Sequence, residues 1–215
     1  MSTSAQPWME ELITWATPAA NKDDLLLARK EYFHRTGEVF DDDRVLEMRM
    51  AAFLEHYVCD RVAPHLGGTP ARARYLEALK AESSERCAAW RAFSQTVHGL
   101  FEVKKLAVGS VRVQGLFSHL DFAIAERRQL VGLAEGDVLE CRLIPFGGVW
   151  RFSSAWCFHP HRVAKHIRSH ARHLQATSLV DEPAFVADCA HRALKVERYR
   201  QIAVEKIYDF HNHLF

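Results

Sequence analysis

The sequence predicts an α+β fold: mostly helical, with a small five-stranded antiparallel unit near the middle, barrel-like or a curled sheet, and a long C-terminal helix. Three observations predict it. Up to Gly99 the apolar residues recur in stretches bounded by helix caps and by glycine or proline stops. From Phe101 to Phe158 the period changes to alternation, which marks strands. After Pro160 helical spacing returns. The expected divisions are 1–99 (helical part), 100–158 (β unit) and 159–215 (C-terminal helices), together one compact domain.

In order, Trp8 to Trp15 reads as a short helix stopped by Pro18. Asn21 is a cap for a second helix to Thr36, with Gly37 as its stop. Asp41, Asp42 and Asp43 open a third, where carboxylates meet the positive helix end; it runs towards Pro64. Thr69 and Pro70 begin a fourth, and Ser83 or Ser84 a fifth. Five alternating runs follow, the last two joined at Gly147-Gly148. His159 and Pro160 start a helix to about Leu174. Asp181 caps the last one, whose apolar stripe runs from Phe185 through Cys189, Val196, Tyr199, Ala203, Ile207 and Phe210 to Leu214. Phe53, Leu54, Tyr57, Trp90 and Phe101 are expected to share one buried network.

Hydrophobic residues make up 48% and charged residues 26%, the balance of a globular protein with a sizeable core. Met1 to Trp15 lacks the basic start and apolar run of a secretory signal, and no stretch is long and apolar enough for a membrane span. Five scattered cysteines without a C-x-x-C pair are expected as reduced thiols, which points to the cytoplasm.

Charge is unevenly spread around a net of +1. Residues 1–60 hold twelve acids against six Lys/Arg, whereas Cys141 to Val180 holds six Lys/Arg and no acid. The predicted helix after Pro160 places Lys165, Arg168 and Arg172 on one face with Arg162 at its shoulder, a set suited to an acidic protein surface or to phosphates. The rival expectation is that Asp41–Asp43 or Glu47 neutralise these cations internally. Cys157, His159, His161, His166, His170 and His173 are weak candidates for a metal site. Their side chains can ligate zinc, but the segment contains no carboxylate and no paired cysteines, so ordinary histidines are the leading reading. No cofactor and no catalytic residue is assigned. G-x-G-x-x-G, Walker A, H-E-x-x-H and G-x-S-x-G are all absent.

Met50 to Arg61, Gly68-Thr69-Pro70, Gly99 to Val103 and Gly136 to Leu143 together resemble an uncharacterised bacterial helical-plus-β module, similar to one found in some SEC-C-motif proteins. The likeness covers about residues 25 to 165 and implies a fold, not a chemistry; the SEC-C cysteine cluster is absent. Arg168 and His173 form an R-x4-H pattern that resembles the active-site signature of the all-helical HEPN ribonucleases. The functional expectation is a non-enzymatic interaction or regulatory protein whose basic helix meets an acidic partner, with a possible homodimer through the C-terminal helix. The alternatives are a nucleic-acid binder and a metal-dependent or HEPN-like ribonuclease.

Overall fold

The computed structural model describes residues 4–127, 130–177 and 180–211. Five helices precede the sheet. Helix α1 (Gln6–Ala16) buries Met9, Leu12 and Ala16. Helix α2 (Lys22–Thr36) carries Asp23 and Asp24 in its first turn and ends at Gly37, whose φ of +93° suits glycine. Asn21 does not cap it: its side-chain amide donates to the Ala16 carbonyl at 3.1 Å, tying the end of α1 to the start of α2. Helix α3 (Leu46–Cys59) begins after the aspartate run rather than in it. Asp43 instead accepts the Phe40 N–H at 2.8 Å and pairs with Arg198, so it fixes a turn. Helices α4 (Pro70–Ala81) and α5 (Ser84–Phe93) are capped as expected by Thr69 and Ser83.

The strands are β1 (Val97–Ala107), β2 (Ser110–Gly115), β3 (Asp121–Ala125), β4 (Val138–Phe146) and β5 (Val149–Phe158). They follow one another in a ring, β1-β2-β3-β5-β4, with β4 paired back on β1. Four pairings are antiparallel; β3 meets β5 in parallel, at the single position Ile124–Trp150. The sheet is thus mixed, a correction to the expected antiparallel unit, and its one-pair seam makes it a tightly curled sheet rather than a barrel with continuous ladders. The β4–β5 turn needs glycine twice, since Gly147 and Gly148 have φ of +64° and +77°.

Phe101, Val103, Val113, Ile124, Leu139, Leu143 and Phe152 fill the inside of the curl. Strand β4 is buried on both faces, because α3 and α5 cover the sheet at β5 and β4 and α7 (Glu182–Arg198) covers it at β1 and β5. Phe53, Tyr57 and Trp90 share the helical core with Leu54 at its edge. Phe101 lies instead inside the curl, because its inward register takes it away from the helices.

A 3-10 turn (His161–Val163) leads into α6 (Ala164–Ala176), later than the predicted start at His159. The long final helix is corrected. Asp181 caps α7 as expected, but the helix stops at Arg198 and a short α8 (Val204–Ile207) follows. Arg192 donates to the carbonyls of Ile207 and Asp209, folding the tail back so that Ile207 and Tyr208 are wholly buried. The stripe residues Phe185, Cys189, Ile207 and Phe210 are packed inside the protein; Leu214 lies outside the described residues. Those four stripe residues thus face the core, while Tyr199 of the same stripe is exposed. No helix among the described residues is long and apolar enough to cross a membrane.

Candidate functional site

Two regions carry the sequence-derived residues. The first is the outer face of α6. Val163, Ala164, Ile167 and Ala171 are packed below it, while Arg162, Lys165, His166, Arg172 and His173 are exposed. Arg168 differs: it pairs with Glu102 of β1 at 3.2 Å and donates to the Gly136 carbonyl. The internal neutralisation is therefore real for one cation, but it comes from the sheet. Asp43 is occupied by Arg198, not by α6. The Nε of Arg172 donates along its own helix to the Arg168 carbonyl at 3.3 Å, and the described residues place no carboxylate on Arg162, Lys165 or Arg172.

The histidines divide: His159, His161 and His166 go separate ways, while the rings of His170 and His173 lie 6.1 Å apart. His161 pairs with Asp137 and remains 69% exposed. His170 stacks on Phe210 with ring centroids 4.5 Å apart, and its burial there pushes its pKa below the ordinary value. His166 and His173 face solvent. The rings of His170 and His173 lie 5.8 and 6.4 Å from the His211 ring, but among the described residues no set of donors that includes them is close enough to hold a metal. Arg168, the arginine of the R-x4-H pattern, is engaged with Glu102 and Gly136, and the sheet departs from an all-helical fold.

The second region is a buried polar centre on the outer face of β4 and β5, and it takes Cys157 and His159 from the candidate set. Strand alternation puts Glu140 and Arg142 of β4 outward, towards the covering helices. Arg142, 1% exposed, donates to Asp60 Oδ1 and Thr96 Oγ1, each at 2.9 Å, and lies 3.6 Å from Glu55. Burial opposes the charge on Asp60, but Arg142 and the His56 hydrogen bond hold that carboxyl well below its usual range. Glu55 is pushed up by burial despite Arg142.

Glu140 shares Oε1 with His98 Nε2 at 3.2 Å. Burial opposes its charge, yet the His98 hydrogen bond and the nearby cations hold it below the ordinary value. Cys157 stands directly across from Glu140, its thiol enclosed although the residue keeps some exposure; burial pushes that thiol far up, so it is a poor nucleophile. His159, 3% exposed, bonds through Nδ1 to the Tyr208 hydroxyl at 2.8 Å, and burial lowers its pKa to about 4, keeping it neutral. A cleft of about 230 Å³ reaches this centre from outside past Arg35, His56, Asp60, His98 and Glu140.

Glu140, His98 and Tyr208 were missed from the sequence because register and tail folding bring them in, not spacing. One signal was present: Glu140 and Arg142 are the charged residues of an otherwise apolar strand, Val138–Phe146. Buried carboxylates and guanidinium groups inside such a run need partners.

Curled sheet, helical cover and charged interlayer define an α+β protein with a polar centre between its layers. The chain belongs to a family of unknown function (DUF7986), whose sequence pattern matches residues 30–184. That span holds α6, Glu140, Cys157 and His159, whereas Tyr208 lies beyond it. No curated protein and no solved structure matches the chain.

Proposed function

We propose that this is a non-enzymatic interaction protein that docks an acidic protein surface on the outer face of α6, through Arg162, Lys165 and Arg172. One observation carries the reading: the three cations are exposed and have no carboxylate partner among the described residues, while the opposite side of the helix is fixed in the core. Arg168 is the anchored edge of that face rather than part of the contact. A net charge of +1, with Glu102 and Asp137 flanking the face, gives a weak field for a polyanion, which favours a protein partner over nucleic acid. The unpaired thiols fit a cytoplasmic setting. The kinship to modules of SEC-C proteins belongs to the same reading and rests on the aromatic and apolar pattern alone.

The test compares partners captured by the unaltered chain and by a Lys165→Glu, Arg172→Glu variant. A partner should be bound at least tenfold more weakly by the variant, and raised salt should reproduce the loss, because exposed charges are screened beyond about 8–10 Å. The melting temperature should stay nearly constant, since neither side chain carries a core contact. Identical capture by both forms would remove α6 from the account. Salt-dependent binding of labelled RNA or DNA that the variant loses would replace the protein partner with a nucleic acid.

A further inference from the structure

We propose that Glu140, Cys157 and His159 form a binding site for one divalent transition-metal ion, with zinc the best match to the donor chemistry. Strand register assembles the set. Glu140 on β4 is the direct cross-strand neighbour of Cys157 on β5. His159 lies two residues further along the same extended segment, so it shares the side of Cys157; its N–H still donates to the Val138 carbonyl at 3.2 Å, prolonging the ladder. One donor atom from each of the three side chains lies within 4.8 Å of the others. Zinc with bonds of about 2.0–2.3 Å holds tetrahedral ligands roughly 3.3–3.8 Å apart, so small side-chain rotations close the set.

A second, independent observation points to a ligand. His159 Nε2 and Glu140 Oε2 are buried without a hydrogen-bond partner. Both residues are more than nine-tenths buried, at 3% and 6% exposure. Folded proteins rarely leave such atoms unpaired, and one cation between them satisfies both. The other atoms of the same groups are held: His159 Nδ1 by the Tyr208 hydroxyl at 2.8 Å, and Glu140 Oε1 by His98 at 3.2 Å. An outer hydrogen bond of this kind fixes the tautomer and aim of a metal-bound imidazole.

A carboxylate and a thiolate supply two negative charges to a 2+ ion, and the buried Arg49 guanidinium borders the space beside them. Binding releases the Cys157 thiol proton to solvent as the S–metal bond forms. A mixed sulfur, nitrogen and oxygen set suits zinc; magnesium and calcium favour oxygen throughout. A small space of about 10 Å³, bordered by Glu140, Cys157, Tyr32 and Arg49, adjoins the donors, and the larger cleft past His98 gives an entry path. Three protein ligands leave one position for water or a small anion.

The experiment uses the full chain, stripped with a chelator, kept reduced and titrated with Co²⁺. One equivalent should produce a thiolate-to-cobalt charge-transfer band in the near ultraviolet, and one equivalent of Zn²⁺ should abolish it. Cys157→Ser should lose the band. His159→Gln and Glu140→Gln should weaken binding at least tenfold, while a His166→Gln, His173→Gln variant should bind as the unaltered chain does. Circular dichroism distinguishes a lost ligand from a lost fold. The unaltered chain gives a second readout: Zn²⁺ should raise its melting temperature. Absence of the band in the unaltered chain, or its persistence in Cys157→Ser, would overturn the proposal.

Discussion

Arg142 concentrates more of the structure's charge than any surface contact does. Its guanidinium is wholly buried between Asp60 of the α3 end, Glu55 of α3 and Thr96 before β1. Breaking a buried pair leaves the other charge stranded, which is why removal of one partner costs far more than the pair contributes. Arg142→Met should therefore destabilise by about 3–5 kcal/mol in urea unfolding. Glu55→Gln should cost much less, because burial already pushes the Glu55 carboxyl towards its neutral form. Equal losses in the two variants would show that the charge on Glu55 matters as much as that on Arg142. In the sequence Arg142 is simply one basic residue in an acid-free window, and its acids lie about eighty positions away. Cys157 and His159 were legible as donors because they are close in sequence; Glu140 was not, because only strand register puts it opposite Cys157.

At the scale of elements, helix positions followed from caps and stops, and the misreadings came where a capping residue serves a tertiary contact. Asn21 and Asp43 have the chemistry of N-caps, but one bridges to Ala16 and the other holds Arg198. The end of α7 was illegible because the apolar spacing continues beyond it, and the break depends on Arg192 capturing the tail carbonyls. Gly37 shows a stop whose meaning is also tertiary. Its φ is +93°, and a Cβ there would lie 2.7 Å from His191 Cδ2 and 3.0 Å from Leu194 Cδ2, both on α7. Gly37→Ala thus strains the backbone and wedges α2 from α7 together. The expected loss is about 1–3 kcal/mol, measured by thermal or urea unfolding. A change below a few tenths of a kcal/mol would mean that α7 shifts freely at this contact.

At the scale of the molecule, the acidic front and the later basic residues do meet, but at selected points. Asp43 joins the loop before α3 to Arg198 at the end of α7, and Asp60 joins α3 to Arg142 of the sheet. Glu82 gathers Arg74, Arg86 and the Trp90 indole within the helical part. These clasps set the response to acid. The Arg198 hydrogen bond lowers the Asp43 pKa; Asp60 is lowered against its burial; and Glu82, also against burial, falls from 4.5 to about 2 through Arg86 and Arg74. A carboxylate with a depressed folded-state pKa contributes stability above its unfolded value and loses it as pH falls through the folded one. Glu55 and Glu182, both raised by burial, act in the opposite sense, since they take up protons in the folded state before the unfolded chain does. The buried histidines act earlier: His159, lowered by burial from 6.5 to about 4, and His170 and His191, also lowered by burial, stay neutral while the unfolded chain takes up protons. Stability should accordingly fall as pH drops below about 6.5 and go on falling between 4.5 and about 2 as the carboxylate clasps are lost. Urea midpoints measured across that range test the shape. Glu82→Gln should be less stable than the unaltered chain at pH 7, and the gap should narrow below pH 4.5, where the unfolded chain takes up a proton that the folded carboxylate binds only near pH 2. A gap that stays constant down to pH 2 would show that Glu82 acts through its shape and hydrogen bonds rather than through its charge.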